Sequence, residues 1–143
     1  MRMRQSAAGL KFMKNTFEIL LAKAEADART VKILLANSDS PREAIAFHIQ
    51  QMTEKLLKAV LIHGKIDYPY KHNLVNLLSK ADKLDDSFKI FSDFAADLTP
   101  YGVAARYDER YNPSAADVEG FYSAALNLRR KVYQYLGRNP PPL

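Results

Sequence analysis

The chain of 143 residues contains no cysteine and only three histidines. The absence of cysteine excludes a disulfide framework, a thiol nucleophile and a cysteine-based zinc site, and a reducing cytoplasm is the expected compartment. No His and carboxylate pair shares one helix face, so we expect neither a metal nor another cofactor. The longest apolar runs are only a few residues, far below the roughly 20 residues of a membrane span, and no membrane association is expected. A glycine-rich phosphate loop and a Ser/His/Asp motif are also missing.

Charge of one sign dominates only at the start of the chain. The formal net charge is +5, and residues 1–14 contain Arg2, Arg4, Lys11 and Lys14 without any acid. The remaining 17 basic and 16 acidic residues nearly balance. Residues 1–14 are therefore interpreted as a basic arm, which either contacts phosphates or is a solvated chain end.

Apolar residues at three- and four-residue spacing predict helices throughout the rest of the chain. No segment shows the sustained alternation of a strand. We predict an all-α fold, an antiparallel up-and-down bundle of four long helices plus one short helix, within residues 15–137. The Pro-rich tail 138–143 is expected to be loose. The predicted helices cover about 14–36, 41–63, 71–81, 85–98 and 114–137.

Local signals predict where these helices begin and end. Ser40 and Glu43 form the pattern of a capping box around Pro41, and Gly64 is expected to end that helix in a left-handed conformation. Pro100 should end the fourth helix near Leu98. The caps predicted for the fourth and last helices are Asp85-Asp86-Ser87 and Ser114, with Asp117 in the first turn of the last helix.

A polar line runs along the second helix. His48, Gln51 and Lys55 fall within about 60° of one another, and Lys58 lies beside them, one turn after Glu54. Such a line could bind an anion or a nucleotide, since lysine supplies charge while the amide and imidazole donate or accept hydrogen bonds. The alternative is a hydrogen-bond network between helices or between subunits of a dimer.

Two further candidates occur later in the chain. His72 opens the short helix, where a histidine is either a solvated residue or a functional one. The repeat Arg106-Tyr107 and Arg110-Tyr111 would form a basic and aromatic ridge if it is helical. If this region is a loop, Tyr107 and Tyr111 are expected to attach it to the bundle.

These segments, taken in order, resemble the HEPN domain, the higher eukaryote and prokaryote nucleotide-binding family. The main match is the Phe-His-x-Gln-Gln-x-x-Glu-Lys-x-x-Lys-Ala pattern of residues 47–59. Weaker matches follow at His72, Leu74 and Leu77, and then at Tyr101, Arg106 and Tyr107, so that the resemblance covers roughly residues 15–136. Asp108 departs from the family pattern, which usually has a proline after Arg-Tyr.

The resemblance implies a nucleotide-binding module, commonly a homodimer, that is often encoded beside a minimal nucleotidyltransferase in a pair similar to a toxin–antitoxin system. No catalytic residue is assigned on this interpretation. An alternative is a metal-independent ribonuclease toxin that uses Arg42 and His48, with His48 as general acid or base. A third is a purely structural dimerisation domain. The candidate ligand-binding residues are His48, Gln51, Lys55, Lys58, His72, Arg106, Tyr107, Arg110 and Tyr111.

Overall fold

The computed structural model describes the backbone of residues 7–68 and 73–143, and the side chains of residues 16–68, 73–105 and 107–143. This part of the chain is all-helical and contains no strand, as predicted. Three 3-10 helices accompany the α-helices, over Asp86–Phe91, Thr99–Gly102 and Ala104–Tyr107. The α-helices are α1 (Ala7–Leu35), α2 (Arg42–His63), α3 (Leu74–Asp82), α4 (Ser92–Leu98) and α5 (Ala115–Leu136).

Helix α2 lies between α1 and α5, and α1 runs antiparallel to both. Near the start of its described part, the ring of Phe17 lies 6.0 Å from that of His63 at the end of α2. Further along α1, Asp27 meets His48 in the first half of α2. Helix α2 is the central element, because 12 of its 22 residues are buried.

The fourth long helix predicted from the sequence is not formed. Residues 86–91 adopt a 3-10 helix, and only the short α4 follows it. The side chain of Asp85 does cap this segment, accepting a hydrogen bond from the N–H of Ser87. A 3-10 helix repeats every three residues, so it turns Phe88 and Phe91 to the same side, and both are buried. An α-helix would set these two rings about 60° apart, whereas the 3-10 helix aligns them on the side of the core.

Helix α2 begins and ends where the sequence predicts, but the predicted capping interactions are absent. Pro41 is the N-cap and no side chain caps the helix, so the expected capping box with Ser40 is absent. Gly64 has φ −82°, and the left-handed residue is Lys65 with φ 58°. A Cβ at Gly64 would overlap the side chain of Leu84, so close packing is the reason for this glycine.

The signals at α5 are confirmed. The side chain of Ser114 accepts from the N–H of Asp117, and the side chain of Asp117 accepts from the N–H of Ser114. Gly137, with φ 69°, ends the helix in the left-handed conformation that glycine adopts without strain.

The tail is bound along α1 and α5 instead of being loose. Arg138 donates two hydrogen bonds to Glu18, of 2.6 and 3.1 Å. Arg129 donates to the carbonyl oxygen of Pro141, and Lys32 donates to the main-chain oxygen of Leu143 at 2.6 Å. Within the described residues, no helix combines the length and apolar character that crossing a membrane requires.

Candidate functional site

The polar line of α2 divides into two clusters, and the first faces α1. Nδ1 of His48 lies 3.1 Å from Oδ1 of Asp27, and Nζ of Lys55 donates to Oδ2 of the same carboxylate. We call Asp27, His48 and Lys55 the seam cluster. The side chain of Asp27 is 11% exposed, against 32% for His48 and 22% for Lys55. The seam cluster therefore joins two helices around a shielded carboxylate and keeps two partners in reach of solvent.

The second cluster follows the adjacent face of α2. Nε2 of Gln51 donates to Oε1 of Gln50 at 2.7 Å, and Nε2 of Gln50 lies 3.4 Å from Oε1 of Glu54. Lys58 completes the series at 3.5 Å from Oε2 of Glu54, and its ammonium group lies 5.2 Å from the ring centroid of Tyr68. We call Gln50, Gln51, Glu54 and Lys58 the amide chain. It places two of the predicted ligand-binding residues, Gln51 and Lys58, in contact with buried polar partners.

Gly102 explains how the amide chain is covered. A Cβ at this position would lie 2.8 Å from Cδ and Nε2 of Gln50, so a larger residue in the 3-10 helix Thr99–Gly102 would require the carboxamide of Gln50 to move. The side chain of Gln50 is fully buried as a result. The carboxamide of Gln50 is thereby fixed, and the partly exposed Gln51 is held against it.

Beside the amide chain, a groove of about 460 Å³ opens between the start of α2 and the two 3-10 helices after α4. Phe47 and Tyr101 supply aromatic surface, and Glu43 is its charged residue. A helical projection places Glu43 and Phe47 on the same face of α2 as Gln50, Gln51 and Glu54. Gln51 lies one turn beyond Phe47, so the groove leads towards the amide chain. The lining residues are Pro41, Glu43, Ala44, Phe47, Tyr101 and Ala105.

Tyr101 is a fixed wall of this groove. Its ring is 8% exposed and lies 5.6 Å from the ring of Phe121 and 6.2 Å from that of Tyr111. Burial raises the pKa of the Tyr101 phenol, and the nearby Asp117 and Tyr111 add to the effect. Tyr101 therefore stays neutral and presents its ring in one orientation.

The expected ridge of Arg106-Tyr107 and Arg110-Tyr111 does not form as one helix. The 3-10 helix ends at Tyr107, and the chain is irregular from Asp108 to Ser114. The two tyrosines differ in their exposure to solvent. Tyr107 is 86% exposed, whereas Tyr111 packs against the core and Tyr101. Of the two tyrosines, Tyr111 is thus the one that attaches the segment to the bundle.

Arg110 is exposed and bound to a neighbour in sequence. Its guanidinium group donates to both oxygens of Asp108, at 2.6 to 3.0 Å, and the hydrogen bonds from Arg110 hold the pKa of that carboxyl below its usual range. The side chain of Arg106 and the whole of His72 lie outside the described residues. Their predicted roles therefore stay predictions.

Arg42 and His48 do not converge within one chain. Arg42 is exposed at the first turn of α2, and six residues of helix rotate it by about 120° from His48. His48 is engaged with Asp27 on α1. Among the described residues, no group of three or more His, Cys, Asp or Glu side chains could hold a metal ion.

Sequence reasoning missed Asp27 and Gln50, and it also missed a buried ion pair between α1 and α5, whereas the pair of Lys58 with Glu54 one turn earlier was predicted and is confirmed. Arg129 donates to both oxygens of Glu25, at 2.8 to 3.2 Å from Nε and 3.0 Å from Nη2. Tyr133 donates to Oε1 of Glu25 at 2.8 Å. A signal for both acids was present in α1, because Glu25 and Asp27 each lie about 80° from the centre of its apolar stripe, on opposite sides.

A sequence model of the HEPN domain matches residues 17–138, which is most of the chain. Among curated proteins and among solved structures, no match was found. The matched range includes α2 to α5, the groove and both polar clusters.

Proposed function

The chain belongs to the HEPN family, and on that premise we propose that it is a binding module that takes a nucleotide in the groove beside the amide chain, without a catalytic step of its own. The observation that carries the proposal is the groove, which is lined by Phe47 and Tyr101. The ring of Phe47 lies 5.2 Å from that of His48 and one helical turn before Gln51. The groove volume of about 460 Å³ falls within the range of small-molecule sites.

The base would lie between the rings of Phe47 and Tyr101. Any nucleobase can stack on an aromatic ring, and each such contact is worth roughly 1–3 kcal/mol. Tyr101 is already held by Phe121 and Tyr111, so little conformational entropy is lost when a base binds against it. Gln51, one turn beyond Phe47, is placed to exchange hydrogen bonds with the polar edge of the base.

The phosphate would lie at the start of α2. Pro41 and Glu43 line the groove there, and no side chain caps the helix. The free N–H groups of a helix's first turn attract anions, and the helix dipole adds to this attraction. Tyr107, two residues beyond the groove residue Ala105, could close over the ligand, and we retain Arg106 and Arg110 of the same segment as phosphate contacts.

The remaining predicted residues have supporting roles in this proposal. His48 and Lys55 bind Asp27, and Lys58 binds Glu54, so these side chains orient α2 against α1 and hold the amide chain. Tyr111 positions Tyr101. His72 remains a predicted ligand contact.

A thermal-shift titration tests the proposal with ATP, GTP, CTP, UTP, AMP and the corresponding nucleosides. A ligand at about 100 times its dissociation constant stabilises a protein by roughly 2.7 kcal/mol. We expect a saturable shift that falls in Phe47→Leu, which keeps an apolar side chain but removes the stacking face. No shift with any of these ligands would contradict the proposal.

Glu43→Gln tests where the phosphate lies. Removing this carboxylate removes its repulsion of the phosphate, which is worth about 1 kcal/mol for two charges about 4 Å apart in water. Nucleotide binding should therefore strengthen about two- to fivefold, and nucleoside binding should stay unchanged. Glu119→Gln is the matched control, since Glu119 is exposed near the start of α5 and its loss changes the net charge equally. Equal effects of the two variants would place the phosphate elsewhere.

Family membership also supports the finer expectations from the sequence. We propose a cytoplasmic protein that forms a homodimer and associates with a minimal nucleotidyltransferase in a toxin–antitoxin-like pair. Co-expression with a minimal nucleotidyltransferase encoded beside it, followed by size-exclusion chromatography with light scattering, tests both associations. The ribonuclease alternative is not favoured, because Arg42 and His48 diverge along α2.

A further inference from the structure

Helix α1 carries an apolar strip on the side that faces away from α2 and α5. Ile19, Ala22, Ala26 and Ile33 are all exposed, and Ile19 and Ile33 expose 53% and 70% of their surface. A helical projection places the four within about 60° of one another, over a length of about 21 Å. We call these four residues the outer strip. Isolated exposed isoleucines are common, but apolar residues at three-, four- and seven-residue spacing are the pattern of a helix-packing seam.

Positive charge borders the outer strip on both sides. Lys23 lies on one flank and Arg29 on the other, each about 20–40° beyond the strip, and both are exposed. Within the described part of the chain, neither Lys23 nor Arg29 forms an ion pair. The acids of α1 are engaged elsewhere, because Glu25 and Asp27 face α5 and α2, and Glu18 binds Arg138.

The charge of this surface disfavours a second copy of the chain. A two-fold axis at Ala26 would pair Ile19 with Ile33 of the partner subunit, but it would also bring the Lys23 side chains of both subunits together on one side of the interface and the Arg29 side chains of both on the other. Like charges brought together across an interface are destabilising.

We propose that the outer strip docks an amphipathic helix of a partner protein, with a narrow apolar seam that is flanked by acidic side chains. Ala22 and Ala26 let the backbone of the incoming helix approach closely, while Ile19 and Ile33 pack at the two ends. Carboxylates on the partner helix pair with Lys23 and Arg29. The proposal does not depend on nucleotide binding in the groove, which lies on α2.

Two synthetic helical peptides of about 21 residues test the proposal, both with leucines at three- and four-residue spacing. One has glutamates on both flanks of the leucine seam, and the other has lysines at the same positions. Fluorescence anisotropy with the full chain should show saturable binding of the glutamate peptide and at least about tenfold weaker binding of the lysine peptide.

Two variants locate the binding surface. Ile19→Asp with Ile33→Asp should weaken binding of the glutamate peptide by about tenfold or more, whereas Ile90→Asp, at an 81% exposed isoleucine away from α1, should not. Lys23→Glu with Arg29→Glu should reverse the preference between the two peptides. These substitutions are at exposed sites, and circular dichroism verifies that each variant keeps its helices.

Several results would overturn the proposal. They are failure of the glutamate peptide to bind, equal binding of both peptides, and an equal loss in Ile90→Asp. The proposal would also be overturned if light scattering detected a homodimer that becomes a monomer in the Ile19→Asp, Ile33→Asp variant. The outer strip would then bind a second copy of the chain.

Discussion

Glu25 and Asp27 are two residues apart on α1, yet their surroundings differ. Glu25 faces α5, where a bidentate guanidinium group and a phenol hydroxyl enclose it. Asp27 faces α2, where the flexible Lys55 and His48 bind it and remain 22% and 32% exposed. The α1–α5 contact is thus a closed, buried ion pair, whereas the seam cluster is open to solvent and adjoins the polar face of α2.

Burial of an acid does not by itself indicate how much its ion pair contributes to stability. Both carboxylates are nearly excluded from water, but only Glu25 has partners that are themselves enclosed, with Arg129 10% exposed. Breaking a buried pair leaves an uncompensated charge, whereas a partly solvated partner can be rehydrated. The two acids should therefore respond differently to substitution.

Glu25→Ala should give the largest loss. It leaves the buried guanidinium group of Arg129 without its carboxylate, and removal of one partner of a buried pair costs about 3–5 kcal/mol. Urea denaturation measures the free energy of unfolding. The control is Glu18→Ala on the same helix, whose pair with Arg138 is nearly half exposed and should cost less than about 1 kcal/mol. Equal losses would show that the α1–α5 pair is not more important than a surface pair.

Asp27→Asn should cost less, about 1–2 kcal/mol. The amide keeps the shape and one acceptor, while Lys55 and His48 lose their shared charge partner and turn towards water. Denaturation beside Asp39→Asn, at an exposed aspartate in the loop before α2, measures this difference. A loss as large as that of Glu25→Ala would mean that the two clusters are equally closed.

Tyr133→Phe should cost about 1 kcal/mol at neutral pH, since it removes one hydrogen bond to Glu25. Burial, with the hydrogen bond to Glu25, raises the pKa of Tyr133 well above its ordinary value of 10.0. Because the folded pKa is raised, this group stabilises the fold fully below about pH 10 and less as the pH rises above it. Stability should therefore fall less steeply above pH 10 in Tyr133→Phe than in the wild type.

The control for this prediction is Tyr107→Phe, which removes a phenol hydroxyl at an 86% exposed site. The free energy of unfolding is measured by denaturation at each pH. A decline above pH 10 that is equally steep in the wild type and in Tyr133→Phe would contradict the prediction.

Asp85→Asn extends the comparison to a surface pair and should have the smallest effect. Hydrogen bonds from Lys131 and Ser87 lower the pKa of Asp85 from 3.8 to about 2. A lowered pKa stabilises the fold above about pH 4, and this contribution is lost as the pH falls towards 2. Thermal denaturation across this window should show a shallower acid decline for Asp85→Asn than for the wild type and for Asp93→Asn, at an exposed aspartate on α4.

Much of the fold could be predicted because its signals are local. The reciprocal hydrogen bonds of Ser114 and Asp117 and the left-handed Gly137 involve residues at most four apart, so the sequence pattern contains them. The prediction of one long α-helix was wrong over Asp86–Phe91, where the spacing suits an α-helix but a 3-10 helix forms and Phe88 packs against Tyr135 at 5.9 Å. It is confirmed over Ser92–Leu98, which is α-helical.

The glycines show the same difference between a local cause and a tertiary one. Gly137 has a conformational reason that its position at a helix end reveals. Gly64 and Gly102 are needed because Leu84 and Gln50 pack against their Cα atoms. Neither neighbour is close in sequence, so no local pattern could have shown the reason.

The candidate site also has a part that could be predicted from local spacing and a part that could not. That His48, Gln51, Lys55 and Lys58 lie together along α2 could be predicted, because one helix sets their spacing. The groove and the partner of the seam cluster could not, since Tyr101 and Asp27 come from segments more than 20 residues away.

The sequence by itself determined an all-helical chain of the HEPN family, the positions of α2 and α5 and the polar face of α2. These properties depend on periodicity and on caps, which act over a few residues. The tertiary structure alone decided that Asp27 binds His48 and Lys55, that Glu25 binds Arg129, and that Phe47 and Tyr101 share a groove. Such pairings depend on how the helices pack. That packing is the result of many contacts between residues that are distant in the chain.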